Sequence, residues 1–181
     1  MQFDISKFTS RGEIVKLIKP NGIGLELGVA KGKFSEKLLE KSSLKKLYSI
    51  DAYAGDRGHD ENEFLEAQSR LKKFGKRSEI IRAKFSDAVK NFPDEYFDFI
   101  YIDGYAHTGQ DEGRTLYEWF PKLKIGGIFS GDDYSPKWQK NVEIIDEFAN
   151  KFNLKLHIIK DWNSHHSWLV TKNKSLFYRN A

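Results

Sequence analysis

Acidic residues with a nearby histidine could hold a cation or take a proton from a substrate. Asp103 and then His107 follow one apolar run, and Asp132 and Asp133 follow another. Neighbouring parallel strands lie about 4.8 Å apart, so the ends of two such strands would bring the three carboxylates together. The carboxylates must then share protons, spread into solvent or hold a cation, and an all-oxygen site suits Mg²⁺ or Ca²⁺, with Mn²⁺ as a further option. The alternatives are an ordinary turn at Asp132 and Asp133, reinforced by Pro136, and a loop histidine without a catalytic role at His107.

A second group of residues could bind a cofactor that contains adenosine. Gly28 and Gly32 lie between an apolar run and a helical pattern, where the chain can turn sharply and free helix amides can meet an anionic group. Asp51 ends the next apolar run, where a carboxylate can accept both hydroxyl protons of a ribose. The glycine spacing differs from G-x-G-x-x-G, which counts against NAD and FAD. The two glycines and Asp51 together predict an adenosine-type cofactor, while glycine turns of this kind also occur in proteins without ligands.

The elements that must position these residues alternate between short strands and helices. The apolar pattern predicts strands at 22–28, 46–50, 79–82, 97–102, 125–130, 155–160 and 166–171. Between them it predicts helices at 33–41, 61–74, 86–92, 112–123 and 137–152, after a short helical segment within residues 1–20. The last two strands are joined by a short loop, and a parallel crossover needs a dozen or more residues, so the final strand must be antiparallel. We predict one α/β domain over residues 1–181, with a doubly wound and mostly parallel seven-stranded sheet.

The glycine turn and Asp51 resemble two motifs of the class I S-adenosylmethionine-dependent methyltransferases. Glu-Leu-Gly-Val-Ala-Lys-Gly at 26–32 is similar to the relaxed E-x-G-x-x-x-G form of their first motif, without its middle glycine, and Ser-Ile-Asp at 49–51 is similar to the second. The resemblance covers residues 22–171 and implies a Rossmann-like fold. It implies that Gly28 holds the amino acid moiety of S-adenosylmethionine, Asp51 the ribose, and Ser86 with Phe85 the adenine. The cofactor-binding residues implied in this way are Glu26, Gly28, Gly32, Asp51, Ser86 and Asp103.

The acidic residues resemble a narrower branch, the metal-dependent O-methyltransferases that act on sugars. Ile-Asp-Gly at 102–104 and Gly-Gly-Ile-Phe-Ser-Gly-Asp-Asp-Tyr at 126–134 carry this resemblance. It implies that Asp103, Asp132 and Asp133 bind a divalent cation, with Mg²⁺ the first expectation. Asp103 or His107 would then act as the general base. Relatives commonly have Ile-Asp-Gly-Asp-His, whereas this chain has Tyr and Ala before its histidine.

The composition excludes several classes of protein. A chain of 181 residues that is 39% hydrophobic and 31% charged is typical of a globular domain. The absence of cysteine excludes disulfides, thiolate zinc sites and cysteine nucleophiles. A net charge of +4, with dispersed basic residues, predicts no nucleic-acid partner. No segment approaches the roughly 20 apolar residues of a membrane span, and no signal pattern begins the chain, so we expect a cytoplasmic protein. Exposed aromatic residues could form the contact surface of a homo-oligomer, and the candidates are Trp119, Trp138 and Tyr178.

These features together predict transfer of a methyl group from S-adenosylmethionine to a hydroxyl oxygen of a small acceptor such as a sugar. A divalent cation would make the acceptor hydroxyl more acidic. One alternative is a metal-independent methyltransferase that acts on an amine or a protein side chain. Another is a Rossmann-like module that binds a nucleoside without catalysis, and a nicotinamide-dependent oxidoreductase is less favoured. The identity of the acceptor does not follow from the sequence, because specificity lies in loops that obey no general code.

Overall fold

The sheet of the protein contains seven strands in a computed structural model that describes residues 4–55, 58–161 and 165–173. The strands are β1 Ile23–Leu27, β2 Lys46–Asp51, β3 Ser78–Arg82, β4 Phe97–Ile102, β5 Leu123–Gly131, β6 His157–Ile159 and β7 Ser167–Thr171. They lie in the order β3-β2-β1-β4-β5-β7-β6. Each neighbouring pair from β3 across to β5 is parallel, and β7 is antiparallel to both β5 and β6. The predicted Rossmann-like α/β fold with a reversed last strand is confirmed.

The helices connect the strands and cover both faces of the sheet. They are α1 Lys33–Lys41, α2 Glu61–Leu71, α3 Phe85–Ala88, α4 Gly109–Glu112, α5 Arg114–Trp119 and α6 Gln139–Lys151. The helical segment predicted before β1 consists of two 3-10 helices, Ile5–Lys7 and Arg11–Leu17. Helix α2 begins as predicted because the Asp60 side chain accepts hydrogen bonds from the amides of Asn62 and Glu63. None of the helices in the described part of the chain is long and apolar enough to cross a bilayer.

The predicted helix 112–123 is helical over residues 114–122, but α5 begins two residues later than predicted because Glu112 and Gly113 have positive φ values of 56° and 83°. Residues Gln110 and Asp111 in α4 both have a φ of 57°, so this segment is a left-handed turn and α5 starts only after it. Helix α5 is short because Pro121 lacks the N–H group that the next helical hydrogen bond needs. A 3-10 helix, Phe120–Lys122, leads from there into β5. The predicted helix 86–92 lies one residue earlier, over 85–91, and consists of α3 and a 3-10 helix Val89–Asn91.

Two apolar clusters lie on opposite faces of the sheet, and β4 contributes to both. Ile100 and Ile102 belong to the cluster under α3, α5 and α6, whereas Phe99 and Tyr101 belong to the cluster under α1 and α2. Every residue of β4 is buried, as its continuous apolar pattern predicts. Trp119 lies in the first cluster and is fully buried, so the prediction that it forms an exposed contact surface is wrong. Trp138 is partly buried, and Tyr178 lies outside the described residues.

The order of the strands fixes where the chain can bind a ligand. Strand β1 pairs with β2 on one side and with β4 on the other, so the direction in which strands are added reverses between β1 and β4. In open α/β sheets, ligands bind outside the carboxyl ends of the strands at such a reversal. The polar residues that follow β1, β2, β4 and β5 all lie at this edge.

Candidate functional site

A cavity of about 630 Å³ opens at the carboxyl edge of the sheet. Its volume lies within the range of about 300–1,000 Å³ that is usual for small-molecule sites. Residues that follow β1, β2, β3, β4 and β5 line it, together with side chains from the segment before β1. The lining combines charged and aromatic groups, among them Arg11, Glu26, Asp51, Asp103, His107 and Trp138.

The turn after β1 lies directly against the end of β4, and Gly28 makes this contact possible. Gly28 has a φ of +89°, and a Cβ atom at this position would lie 2.0 Å from the carbonyl oxygen of Asp103. The Asp103 amide donates a hydrogen bond of 2.7 Å to the Leu27 carbonyl, and the Gly28 amide donates one of 2.9 Å to Ile50. Glycine is therefore required here for two reasons, the left-handed backbone and the lack of space.

Asp51 at the end of β2 organises the same turn. One of its carboxylate oxygens, Oδ2, accepts hydrogen bonds from the amides of Val29 (2.8 Å) and Ala30 (3.0 Å). The other, Oδ1, accepts one of 3.2 Å from the Tyr53 amide. Ala30 stands where the full motif has its middle glycine, and its φ of 45° shows that the backbone keeps the left-handed conformation which glycine would adopt more easily. The Tyr53 hydroxyl donates a hydrogen bond of 2.8 Å to the Ala30 carbonyl, which helps to hold this conformation.

Four non-glycine residues around the cavity have a left-handed backbone, and each follows the carboxyl end of a different strand. They are Ala30, Tyr53, Tyr105 and Asp133, with φ values between 45° and 61°. Such residues cost about 1–3 kcal/mol each and persist where surrounding structure imposes them, often at binding sites. Their position at one rim supports a functional role for the cavity.

Glu26 is the buried carboxyl beneath the glycine turn. The Ser35 hydroxyl donates a hydrogen bond to its Oε2 atom, and Ser35 is also within 3.0 Å of the Ser49 hydroxyl. Burial raises the pKa of Glu26 to about 8, with the Ser35 hydrogen bond opposing the rise. Glu26 is therefore protonated over much of the neutral range in the protein without a ligand.

The acidic cluster contains a cation from the protein itself, the guanidinium group of Arg11. Its Nη1 atom lies 2.8 Å from Asp103 Oδ2 and 2.5 Å from Asp132 Oδ2. Burial raises the pKa of Asp103, and the guanidinium opposes this rise. Burial and then the charge of Asp103 raise the pKa of Asp132 to about 6. Asp103 and Asp132 therefore lie close together, as expected. The positive charge that compensates them is that of the Arg11 guanidinium.

Asp133, the third carboxylate of the predicted magnesium site, has a different partner. Its Oδ1 atom lies 2.8 Å from Nδ1 of His165. Within residues 4–55, 58–161 and 165–173, no group of three or more His, Cys, Asp or Glu side chains is arranged to hold a metal ion. The magnesium site predicted at Asp103, Asp132 and Asp133 therefore stays a prediction: in the structure the first two residues pair with Arg11, and the third faces a histidine.

Of the remaining predicted residues, His107 lines the cavity, whereas Gly32 and Ser86 are not among the described residues that line it. His107, in the 3-10 helix Ala106–Thr108, lines its mouth. Gly32 precedes α1 and packs against Ala67, and it is not among the described residues that line the cavity. Ser86 is also absent from that lining, whereas Lys84 and Phe85 before it contribute to it. Phe85 is therefore better placed than Ser86 to contact the adenine.

Arg11 is the site residue that sequence reasoning missed. It stands 92 residues before Asp103 and 121 before Asp132, in a segment that matches no motif. The available signal was indirect, because a compensating cation is one of the ways in which converging carboxylates can be stabilised. Nothing in the local pattern around Arg11 identifies it as that cation.

Comparison with known proteins adds a family match and several similar folds. Residues 25–134 match the sequence profile of a family described as a methyltransferase domain. No curated protein matches the chain significantly.

Three solved structures illustrate the similar folds. An rRNA methylase from Streptococcus thermophilus has a TM-score of 0.65 at 15% identity, over 89% of this chain and 92% of that one. An O-methyltransferase from Bacillus cereus, in complex with SAH, has a TM-score of 0.67 at 16% identity, over 90% and 80%. Spermidine synthase from Thermotoga maritima has a TM-score of 0.66 at 19% identity, over 90% of this chain and 59% of that one. Identities this low show a shared fold, and the three different names show that this fold does not determine the acceptor.

Proposed function

The chain belongs to the methyltransferase-domain family that matches its residues 25–134, and from this premise we propose that it methylates an oxygen of a small hydroxylated acceptor, with S-adenosylmethionine as the donor. The observation that carries the proposal is the meeting of Gly28, Asp51 and Asp103 at one cavity. This cavity lies where the strand order reverses, as a nucleoside-containing ligand requires.

The cofactor end of the cavity would be the turn after β1 and the end of β2. Gly28 lets the turn after β1 lie directly against the backbone of Asp103, so that both segments line the cavity where the donor would bind. The Asp51 carboxylate lines the cavity and is oriented by three backbone amides, and it has lone pairs suited to ribose hydroxyls. Phe85 offers an aromatic surface to the adenine. These residues fit the donor, and they give each of its parts a separate partner.

The methyl group of S-adenosylmethionine is already activated by its sulfonium, so the protein has to align the acceptor and take its proton. The carbon–sulfur bond breaks as the acceptor oxygen attacks, and S-adenosylhomocysteine leaves. We assign the proton to Asp103 or His107, which both line the cavity after β4. Burial raises the pKa of Asp103 and the charge of Arg11 opposes this rise, so the Asp103 carboxylate is a stronger base than a solvated one.

The acceptor end would lie between the end of β4 and the segment after β5. Asp103, His107, Asp133 and Trp138 line this part of the cavity. Carboxylates and imidazoles can accept hydrogen bonds from several hydroxyl groups, and the Trp138 ring offers an apolar face. A small polyhydroxylated molecule such as a sugar matches this mixture of groups.

A divalent cation is not part of the proposal. Its predicted ligands are paired with Arg11 and His165, so no step of the reaction is assigned to a metal. Oxygen methylation without a metal differs from the metal-independent alternative of the sequence analysis, which had an amine or a protein side chain as its acceptor.

Calorimetry and a transfer assay test the proposal together. We expect S-adenosylmethionine and S-adenosylhomocysteine to bind one per chain, and NAD not to bind. Asp51→Asn should weaken that binding by about tenfold, since it removes one charge-assisted contact to the ribose. Asp103→Asn should retain donor binding and lose transfer of a labelled methyl group to a panel of hydroxylated acceptors.

Two results would contradict the proposal in different ways. If neither adenosyl compound binds, the cofactor assignment is wrong. If they bind and the wild type methylates amines but no hydroxyl groups, the assignment of an oxygen acceptor is wrong. Binding without transfer to any acceptor in the panel would favour the non-catalytic nucleoside-binding module.

A further inference from the structure

We propose that Arg11 is the resident cation of the acidic cluster, and that its guanidinium group takes the place a divalent metal would need between Asp103 and Asp132. The inference deepens the proposed function and rests on it for the role in methyl transfer. Its central claim, that Arg11 excludes divalent cations, concerns the protein without its donor and can be tested separately.

The geometry is that of one donor shared by two carboxylates. The Nη1 atom of Arg11 lies 2.8 Å from Asp103 Oδ2 and 2.5 Å from Asp132 Oδ2. A terminal guanidinium nitrogen carries two hydrogens, so it can donate one hydrogen bond to each carboxylate. Hydrogen bonds between charged groups at these distances are among the stronger ones in proteins.

The surroundings of Arg11 hold this arrangement in place. Its guanidinium lies over the Phe34 ring, 4.7 Å from the ring centroid. The other oxygen of Asp132, Oδ1, accepts a hydrogen bond of 2.9 Å from the Ser167 hydroxyl. Ser167 is in turn within 3.3 Å of the Tyr101 hydroxyl. Both oxygens of Asp132 therefore have protein partners, and a metal ion at Oδ2 would have to share that oxygen with the positively charged guanidinium.

Arg11 differs from a bound metal ion in what it can do. A guanidinium group stays charged at every physiological pH and is attached to the chain, so the cluster is neutralised without depending on metal supply. It offers hydrogen bonds but no open coordination position, so it cannot bind the acceptor oxygen directly as a metal would. Arg11 is thus a positioning residue, which fixes Asp103 beside the acceptor and compensates its charge.

Manganese binding, followed by electron paramagnetic resonance, tests whether Arg11 excludes a divalent cation. Mn²⁺ accepts the same all-oxygen ligands as Mg²⁺ and reports binding by loss of its free-ion signal. We expect the wild type to bind Mn²⁺ no better than a general surface carboxylate. Arg11→Ala and Arg11→Gln, which leave Asp103 and Asp132 without their cation, should each bind one Mn²⁺ per chain at least about tenfold more tightly.

Arg70→Ala is the matched control variant. Arg70 also bridges two carboxylates, Glu36 and Glu66, but on the surface between α1 and α2. Its removal should leave Mn²⁺ binding at the wild-type level, because these carboxylates remain solvated and have other basic neighbours. A general effect of removing an arginine would instead appear in both variants.

Two outcomes would overturn the proposal. One is a folded Arg11 variant, verified by circular dichroism, that gains no Mn²⁺ binding. The other is a wild type that already binds one Mn²⁺ tightly and loses it in Asp132→Asn, a measurement that needs no Arg11 variant to fold. Neither result depends on the donor, so a failure to bind S-adenosylmethionine would contradict the proposed function and leave this test intact.

Discussion

Gly28 is a position where the addition of a single methyl group should strongly destabilise the protein. In Gly28→Ala, the new Cβ would meet the Asp103 carbonyl at 2.0 Å on a backbone with a φ of +89°. Neither group can move freely, because Gly28 and Asp103 are both hydrogen-bonded to neighbouring strands. We expect a loss of about 2–4 kcal/mol in the free energy of unfolding, from the clash and the strained backbone together. Urea denaturation measures this loss, and calorimetry should show weaker donor binding.

Gly126→Ala separates the two causes. Gly126 has a similar φ of +79°, but no atom lies within 4 Å of the position its Cβ would take. This variant should lose only the part due to backbone strain, about 1–2 kcal/mol, and should bind the donor normally. Equal losses of unfolding free energy in the two variants would show that the close approach of Gly28 and Asp103 does not add to the effect of backbone strain.

Glu26 makes stability depend on pH in an unusual direction for a carboxyl group. Burial raises its pKa from 4.5 to about 8. The Ser35 hydrogen bond and the charge of Arg11 lower this pKa, whereas the charges of Asp103 and Asp51 raise it. The folded protein therefore binds a proton that the unfolded chain has released, and this contribution to stability is fully present below pH 4.5. It disappears as the pH rises towards 8, at a rate of at most about 1.4 kcal/mol per pH unit.

Glu26→Gln tests this dependence. Glutamine can still accept the Ser35 hydrogen bond but does not titrate, so the variant should lose less stability than the wild type between pH 6 and pH 8. Asp132, whose pKa is raised to about 6, contributes mainly below this interval. Urea denaturation at several pH values measures the difference, with Glu147→Gln on the exposed face of α6 as the control. Parallel curves for wild type and Glu26→Gln would contradict the buried, protonated state of Glu26.

One buried lysine links the end of β7 to the chain around the start of β5. Lys172 follows β7, is 1% exposed, and donates hydrogen bonds to the carbonyls of Phe120, Pro121 and Leu123 at 3.3, 3.3 and 2.6 Å. These carbonyls lie where the helical segment ends before β5. One ammonium group therefore adds hydrogen bonds to buried carbonyls, two of which, those of Phe120 and Pro121, also accept from the amides of Leu123 and Glu95.

Lys172→Met should be among the most destabilising substitutions outside the cavity. Methionine fills a similar volume but donates no hydrogen bond, so the charge-assisted contacts to these carbonyls are lost and we expect a loss of about 1.5–3 kcal/mol in the free energy of unfolding. Donor affinity should not change, because Lys172 contacts the start of β5, whereas the cavity lies at the edge where this strand ends. Lys90→Met is the control, since Lys90 is exposed and pairs with the exposed Asp87 at 3.5 Å, and its loss should stay below about 1 kcal/mol. Similar effects of both substitutions would contradict the role of Lys172.

The residues expected to bind the ligand lie at one edge of the sheet, and the apolar clusters that stabilise the fold lie on its two faces. Bound S-adenosylhomocysteine should slow amide hydrogen exchange in the segments 28–32, 51–55, 83–85 and 103–107, which follow four different strands. Segments 19–22 and 94–96 precede strands at the opposite edge and should exchange as in the free protein. We expect at least about tenfold slower exchange at the binding edge when the ligand is in large excess. Mass spectrometry of exchanged peptides checks this pattern, and protection confined to the β6–β7 region would contradict the assigned site.

The sequence by itself determined the fold and the edge that carries the site. The apolar run of β4 has the same bounds in the structure as in the prediction, 97–102, because a strand buried on both faces must be apolar throughout. The direction of β7 followed from the shortness of the loop before it. Gly28 and Asp51 lie at the cavity because strand ends and glycine turns are local features of the chain.

The tertiary structure alone decided how the acidic residues are neutralised. Arg11 reaches Asp103 and Asp132 across separations of 92 and 121 residues, and no local pattern encodes a contact of that kind. Asp133 is adjacent to Asp132, yet its backbone has a φ of 61° and its side chain pairs with His165. Residue types and spacing revealed that the carboxylates converge, because parallel strands end together. Which cation meets them depends on the packing of the first helical segment against the finished sheet, and only the folded chain contains that information.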